Sequence, residues 1–110
     1  MIDWARVGEL RDEIGAEDFD EVAELFLMEV EDTLSKLEPA LSDPVQMQEL
    51  LHFLKGSALN LGFQAVSDMC SAAEVDAAKG DVTVAPDALK ALYRESRSVF
   101  EAELTQHFAA

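Results

Sequence analysis

The run His52-Phe53-Leu54-Lys55-Gly56-Ser57-Ala58-Leu59-Asn60-Leu61-Gly62 sets a titratable nucleophile, a cation and a position without a side chain close together. At about 100° per residue, a helix puts Lys55 about 60° to one side of His52 and Gly56 about 40° to the other, so one face carries all three. Met47, Leu50, Leu54 and Leu61 fall on the opposite side, the arrangement of a helix that buries one stripe and leaves the imidazole facing water. Neutral imidazole, with a reference pKa of about 6.5, is nucleophilic near pH 7. A cation beside it can stabilise an added negative charge through a charge-assisted hydrogen bond. Glycine inside a helix costs about 0.5–1 kcal/mol relative to alanine, so Gly56 needs a reason to be there, and close approach of another molecule to His52 is the natural one.

The same wheel brings Leu59 and Phe63 within about 20° of the His52 direction. Large apolar side chains around a reactive group predict a protein docking patch centred on His52. Asn60, about 80° away, is a rim residue that can touch the partner, and Glu49 sits where it can tune His52 or join the docking surface. Ser57 lies about 140° from His52, which excludes a Ser-His nucleophile pair on an intact helix and makes it a small packing residue. Cys70 is expected in the core and His107 on the surface. Glu49-Leu50-Leu51-His52 has the Glu-x-x-His spacing of di-iron bundle half-sites. Those sites need a second copy and further inward carboxylates, and Leu104 stands where the second copy would need its acid, so no metal is expected.

Five helices must position these residues. Asp3 caps a short first helix over residues 4–14 that ends at Gly15. Asp18 and Glu21 form a capping box for a long helix through Val22, Leu25, Phe26, Val30, Leu34 and Leu37, stopping between Pro39 and Ser42. Asp43-Pro44 opens the helix of His52, which closes near Gly62. Residues 63–79 put Val66, Met69, Cys70, Ala73 and Ala77 on one side and end at Gly80. A linker over residues 81–85 leads to Pro86 and a last helix with Leu89, Leu92, Tyr93, Ser96, Phe100 and Leu104 in register. The only strand-like run, Val82-Thr83-Val84, is too short for a sheet. The pattern predicts an all-α, antiparallel four-helix bundle with an additional short N-terminal helix, its connections short enough for up-down-up-down order.

The motif His52-x-x-Lys55-Gly56-Ser57-Ala58-x-x-Leu61-Gly62 resembles the signature of the histidine-containing phosphotransfer (HPt) domains of multistep phosphorelays, and Cys70, Glu74 and Lys79-Gly80 resemble the helix that follows it in that family. The resemblance covers nearly the whole chain and implies one phosphotransfer domain over residues 1–110. It implies that His52 accepts a phosphoryl group from the aspartyl phosphate of one receiver domain and passes it to another. Lys55 would stabilise the phosphoryl charge, and Gly56 would leave room for it and for the receiver. The partners implied are response-regulator receiver domains and a hybrid histidine kinase, with magnesium on the receiver and no cofactor on this chain. Catalysis of phosphoryl transfer is largely positioning and charge stabilisation, and no nucleotide loop or carboxylate cluster supplies the rest, so the expectation is a carrier and not a kinase. The alternative is an adaptor of the same fold that only docks a partner through the His52 face.

Composition bounds these readings. A chain of 110 residues that is 49% hydrophobic suits a single core. Eight basic against 23 acidic residues give a formal charge of −15, which argues against binding nucleic acid or anionic membranes and points to less acidic protein partners. The acids are spread through periodic apolar segments, as on solvated helix surfaces. One cysteine allows no internal disulfide, and no stretch approaches the roughly 20 apolar residues of a membrane span or has the form of a secretory leader, so a cytoplasmic, monomeric protein is expected.

Overall fold

The computed structural model describes residues 1–108. The elements are α1 (Trp4–Ile14), α2 (Ala16–Leu34), a single 3-10 turn (Glu38–Ala40), α3 (Pro44–Asn60), α4 (Gln64–Ala78) and α5 (Pro86–Phe108). Among the described residues the one β-type pairing is an isolated antiparallel bridge between Ile2 and Phe63. Helices α2 to α5 form an all-α bundle. Antiparallel neighbours are evident where Glu74 of α4 meets His52 while Ser67, further up the same helix, meets Lys55, and where Glu38 meets Lys90 while Glu24 meets Arg97. The bundle measures 48 × 21 × 20 Å.

Most helix ends follow local chemistry. Asp3 and Asp43 accept hydrogen bonds from the backbone N–H groups of Arg6 and Gln46, so both cap as expected. Gly62 and Gly80 adopt φ of +77° and +89° just beyond α3 and α4, conformations that a Cβ disfavours. The start of α2 differs from the expected capping box. Gly15, at φ +99°, closes α1 and is also the N-cap of α2. The helix therefore starts before Asp18, whose backbone N–H already donates to the Gly15 carbonyl. Glu17 and Asp18 serve as first-turn acids facing the helix dipole. At the other end α2 stops at Leu34, ahead of the expected boundary. Tighter turns carry the apolar stripe on, so that Leu37 is still fully buried.

The core runs along Leu27, Val30 and Leu34 of α2, Met47, Leu51 and Leu54 of α3, Val66 and Cys70 of α4, and Leu89, Tyr93 and Phe100 of α5. Cys70 is completely buried, and burial, helped by the charge of Glu74, pushes its thiol up to about 12. Leu50 is only half-buried, in a groove between α2 and α3, while Leu51 takes the core position. Met69, expected inside with Cys70, is exposed, because the buried stripe of α4 is the narrower Val66, Cys70, Ala73 and Ala77 row.

Helix α1 clips the far end of α3. The Asp3 backbone N–H donates to the Gly62 carbonyl at 2.7 Å, and the Arg6 guanidinium donates to Asn60 Oδ1 at 3.1 Å. A Cβ on Gly62 would stand 2.6 Å from the Asp3 carbonyl oxygen, so glycine is also what lets α1 sit this close. Trp4 stacks on His107 at 4.0 Å and lies parallel to Phe100 at 6.0 Å, which ties α1 to the last turns of α5. His107 is on the surface as expected, with one ring face covered by the indole.

Candidate functional site

His52, Lys55 and Gly56 occupy one solvent-facing stripe of α3. The His52 side chain is 72% exposed. Its Nδ1 lies 3.0 Å from Glu74 Oε2, while Lys55 Nζ lies 2.8 Å from Glu74 Oε1. One carboxylate of α4 thus bridges these two side chains of α3. Glu74 is itself only 12% exposed. The hydrogen bond from Lys55, reinforced by that from His52, holds its carboxyl below the usual carboxylate range despite the opposing effect of burial. An ionised carboxylate only accepts hydrogen bonds, so a neutral His52 must carry its proton on Nδ1 and present the Nε2 lone pair outward. Ser67 Oγ, donating to the Lys55 carbonyl at 3.4 Å, adds a second tie between α4 and the site helix.

A Cβ built on Gly56 meets nothing within 4 Å. The glycine therefore answers no packing demand inside this chain, and the space beside His52 is open to an incoming molecule. Ser57, by contrast, is buried on the opposite flank, where it cannot reach the imidazole.

The expected docking residues divide. Leu59 is 48% exposed on the His52 stripe. Glu49 is exposed and lines the α2–α3 groove with Glu29, Asp32, Lys36 and Phe53. Asn60 is half-buried and held by Arg6. Phe63 is not on the surface at all: it is 1% exposed and packs edge-on against Phe100 at 5.4 Å and beside Tyr93 at 6.1 Å. The wheel fails there because α3 ends at Asn60 and the positive φ of Gly62 turns the chain inward.

Two features escaped the one-helix reading. Phe53, adjacent to His52, is 42% exposed, so the exposed apolar surface near His52 is wider than Leu59 alone. Glu74 matters more. Its signal was an acid four residues after the buried Cys70, at the edge of the stripe that α4 buries, where a carboxylate calls for a cation. The Glu49-x-x-His52 spacing gives no inward half-site, since both residues face solvent. Among the described residues no group of three or more potential ligands could hold a metal ion. No described helix is long and apolar enough to cross a membrane.

This geometry offers an exposed imidazole whose neutral form is biased toward the Nδ1–H tautomer, an adjoining ammonium, and clearance for a second macromolecule. Comparison with known proteins is consistent with it. The family model described as Hpt domain matches residues 21–109, a span that includes all of α3, α4 and α5. No curated protein and no solved structure matches the chain. With His52, Lys55 and Gly56 on one exposed face of a helical bundle and the family model covering most of its length, this chain belongs to the Hpt domain family, whose members act in phosphotransfer within two-component and phosphorelay signalling.

Proposed function

We propose that this chain is a phosphorelay intermediate that takes a phosphoryl group onto His52 Nε2 from a receiver aspartyl phosphate and passes it to a second receiver. The observation that carries this reading is the Glu74 bridge, which leaves Nε2 as the free nucleophile on an exposed ring. In the uptake step Nε2 forms the P–N bond as the acyl-phosphate P–O bond breaks, and the receiver carboxylate departs with its electron pair. The ring becomes cationic as it is phosphorylated. Its Nδ1–H remains on Glu74, whose negative charge stabilises that cation as the carboxylate partner of a catalytic histidine does. Transfer to a second receiver is the same step reversed.

Lys55 then has two acceptors within reach, the Glu74 carboxylate and a phosphoryl oxygen. Moving toward the phosphoryl group supplies a charge-assisted bond as negative charge accumulates. Gly56 admits the rim of the receiver's active site, and Leu59, Phe53 and Glu49 lie on the surface the receiver would cover. Magnesium belongs to the receiver in this scheme, and the chain is a carrier with no kinase activity of its own, working in the cytoplasm beside a hybrid histidine kinase and its receivers.

The test is incubation with a phosphorylated receiver domain and magnesium, followed by phosphorus NMR and an acid-lability check. An acid-labile phosphohistidine signal that is lost in His52→Ala supports the carrier. Label that persists on His52→Ala defeats the assignment. Binding without any phosphoryl uptake favours the adaptor.

A further inference from the structure

Arg6 and Asn60 meet at the end of the His52 face that α1 clips. Eight residues separate Asn60 from His52, which places it about 12 Å along the helix axis, next to Leu59. The Arg6 guanidinium has donors only, so the atom that Asn60 turns to it at 3.1 Å must be the amide oxygen. Arg6 is itself held in place by Glu9 at 3.1 Å and Glu13 at 3.7 Å. The Asn60 amide nitrogen is therefore forced to the other side. It makes no hydrogen bond to another described side chain or backbone group. Nor is it sealed in, since among the described residues the only buried side-chain polar atom without a partner is Ser96 Oγ.

We infer that Arg6 is a positioning residue that locks Asn60 with its NH2 group presented to the docking partner, making Asn60 a specificity contact that reads a carbonyl oxygen on the receiver. The inference rests on the relay reading above and adds the chemistry of one recognition point. The acceptor is an uncharged carbonyl and not a carboxylate, because Glu9, Glu13 and the chain's net charge of −15 repel an approaching anion. Arg6 lies outside the residues 21–109 that the family model covers, so this lock joins the N-terminal helix to the matched span. It also gives α1 a part in recognition, although the hydrogen bonds of His52, Lys55 and Glu74 run between α3 and α4.

Steady-state transfer from a phosphorylated receiver tests the idea, with KM for the receiver and kcat read separately. Asn60→Asp keeps an oxygen for Arg6 but removes both donors and sets a negative charge against the partner's carbonyl. It should raise KM about tenfold with kcat nearly unchanged, the effect of losing one well-placed hydrogen bond. Arg6→Ala lets the amide rotate and should raise KM about twofold to threefold, while Arg6→Lys, which also carries donors only, should restore it. In the Arg6→Ala/Asn60→Asp double variant the Arg6 effect should vanish. An unchanged KM for Asn60→Asp overturns the inference, as does a loss in Arg6→Ala that persists in the double variant. Circular dichroism melts on each variant separate an unfolded protein from a recognition defect. If the wild-type chain accepts no phosphoryl group from any receiver, the relay reading has failed; if it does and Asn60→Asp matches it, only the Asn60 contact has failed.

Discussion

Removing the Glu74 carboxylate is the perturbation that bears most directly on how His52 works. A hydrogen bond to a charged group contributes about 1.5–3 kcal/mol in shielded surroundings, against about 0.5–1.5 kcal/mol for a neutral one. The His52 side chain is 72% exposed and water competes for Nδ1, so about 1 kcal/mol is the fitting estimate for what Glu74→Ala loses. That is about a fivefold change in an equilibrium, here the share of rings that hold the proton on Nδ1 and offer Nε2. Phosphoryl uptake should slow about fivefold in Glu74→Ala and less in Glu74→Gln, which keeps an acceptor oxygen without its charge. The tautomer share concerns only the unphosphorylated ring, so uptake should slow more than donation, whose starting state already carries its proton on Nδ1. Rapid-quench transfer assays give the rates, and nitrogen-15 NMR of the imidazole gives the tautomer directly. The pH dependence has a definite sign. Because folding lowers the Glu74 pKa from its ordinary 4.5, the carboxylate's contribution to stability is fully present above that value and is lost as pH falls through the lowered one. The melting difference between wild type and Glu74→Gln should therefore be flat above pH 4.5 and shrink below it. Wild-type rates in Glu74→Ala together with an unchanged tautomer would refute the reasoning.

Two glycines give predictions of opposite sign. Gly56→Ala meets no neighbour and should stabilise the protein by about 0.5–1 kcal/mol in thermal melts while slowing transfer; a Gly56→Glu variant that docks normally would remove the steric role. Gly62→Ala combines a left-handed φ of +77° with a Cβ 2.6 Å from the Asp3 carbonyl, and should cost about 2–4 kcal/mol, lowering Tm by about 10 °C or more. A melt within a degree or two of wild type would mean that α1 contributes little to the fold.

Legibility of this chain from its sequence ended where one helix had to be related to another. The starts at Asp43-Pro44 and Pro86 and the stops at Gly15, Gly62 and Gly80 all rest on residues acting within one turn of themselves, and all are where the spacing places them. His52, Lys55 and Gly56 share a face for the same reason, since a helical wheel needs only the sequence between them. Phe63 was misplaced because the wheel was carried past the last helical residue, and the capping box at Asp18 was misplaced because Gly15 serves two helices at once. Glu74 and Arg6 are of a different kind. They lie 22 and 54 residues from the side chains they orient, and no periodicity encodes the register between α3 and α4 or between α1 and α3.

That register also governs the charge at the site. At rest the Lys55 ammonium and the Glu74 carboxylate neutralise each other beside the imidazole. A phosphoryl dianion on Nε2, with Nδ1–H retained and the ring therefore cationic, leaves Lys55 and the ring as cations against the phosphoryl group and Glu74, on a chain already at −15. Unit charges about 4 Å apart interact by about 1 kcal/mol in water and about 4 kcal/mol near a protein surface. Glu74 therefore stabilises the cationic ring it orients, while its charge opposes the phosphoryl dianion and competes with it for Lys55. A carrier needs both properties: an acceptor that bound phosphate through several cations would hold it too firmly to pass it on, whereas a single lysine shared with a carboxylate keeps the phosphoryl group bound and transferable.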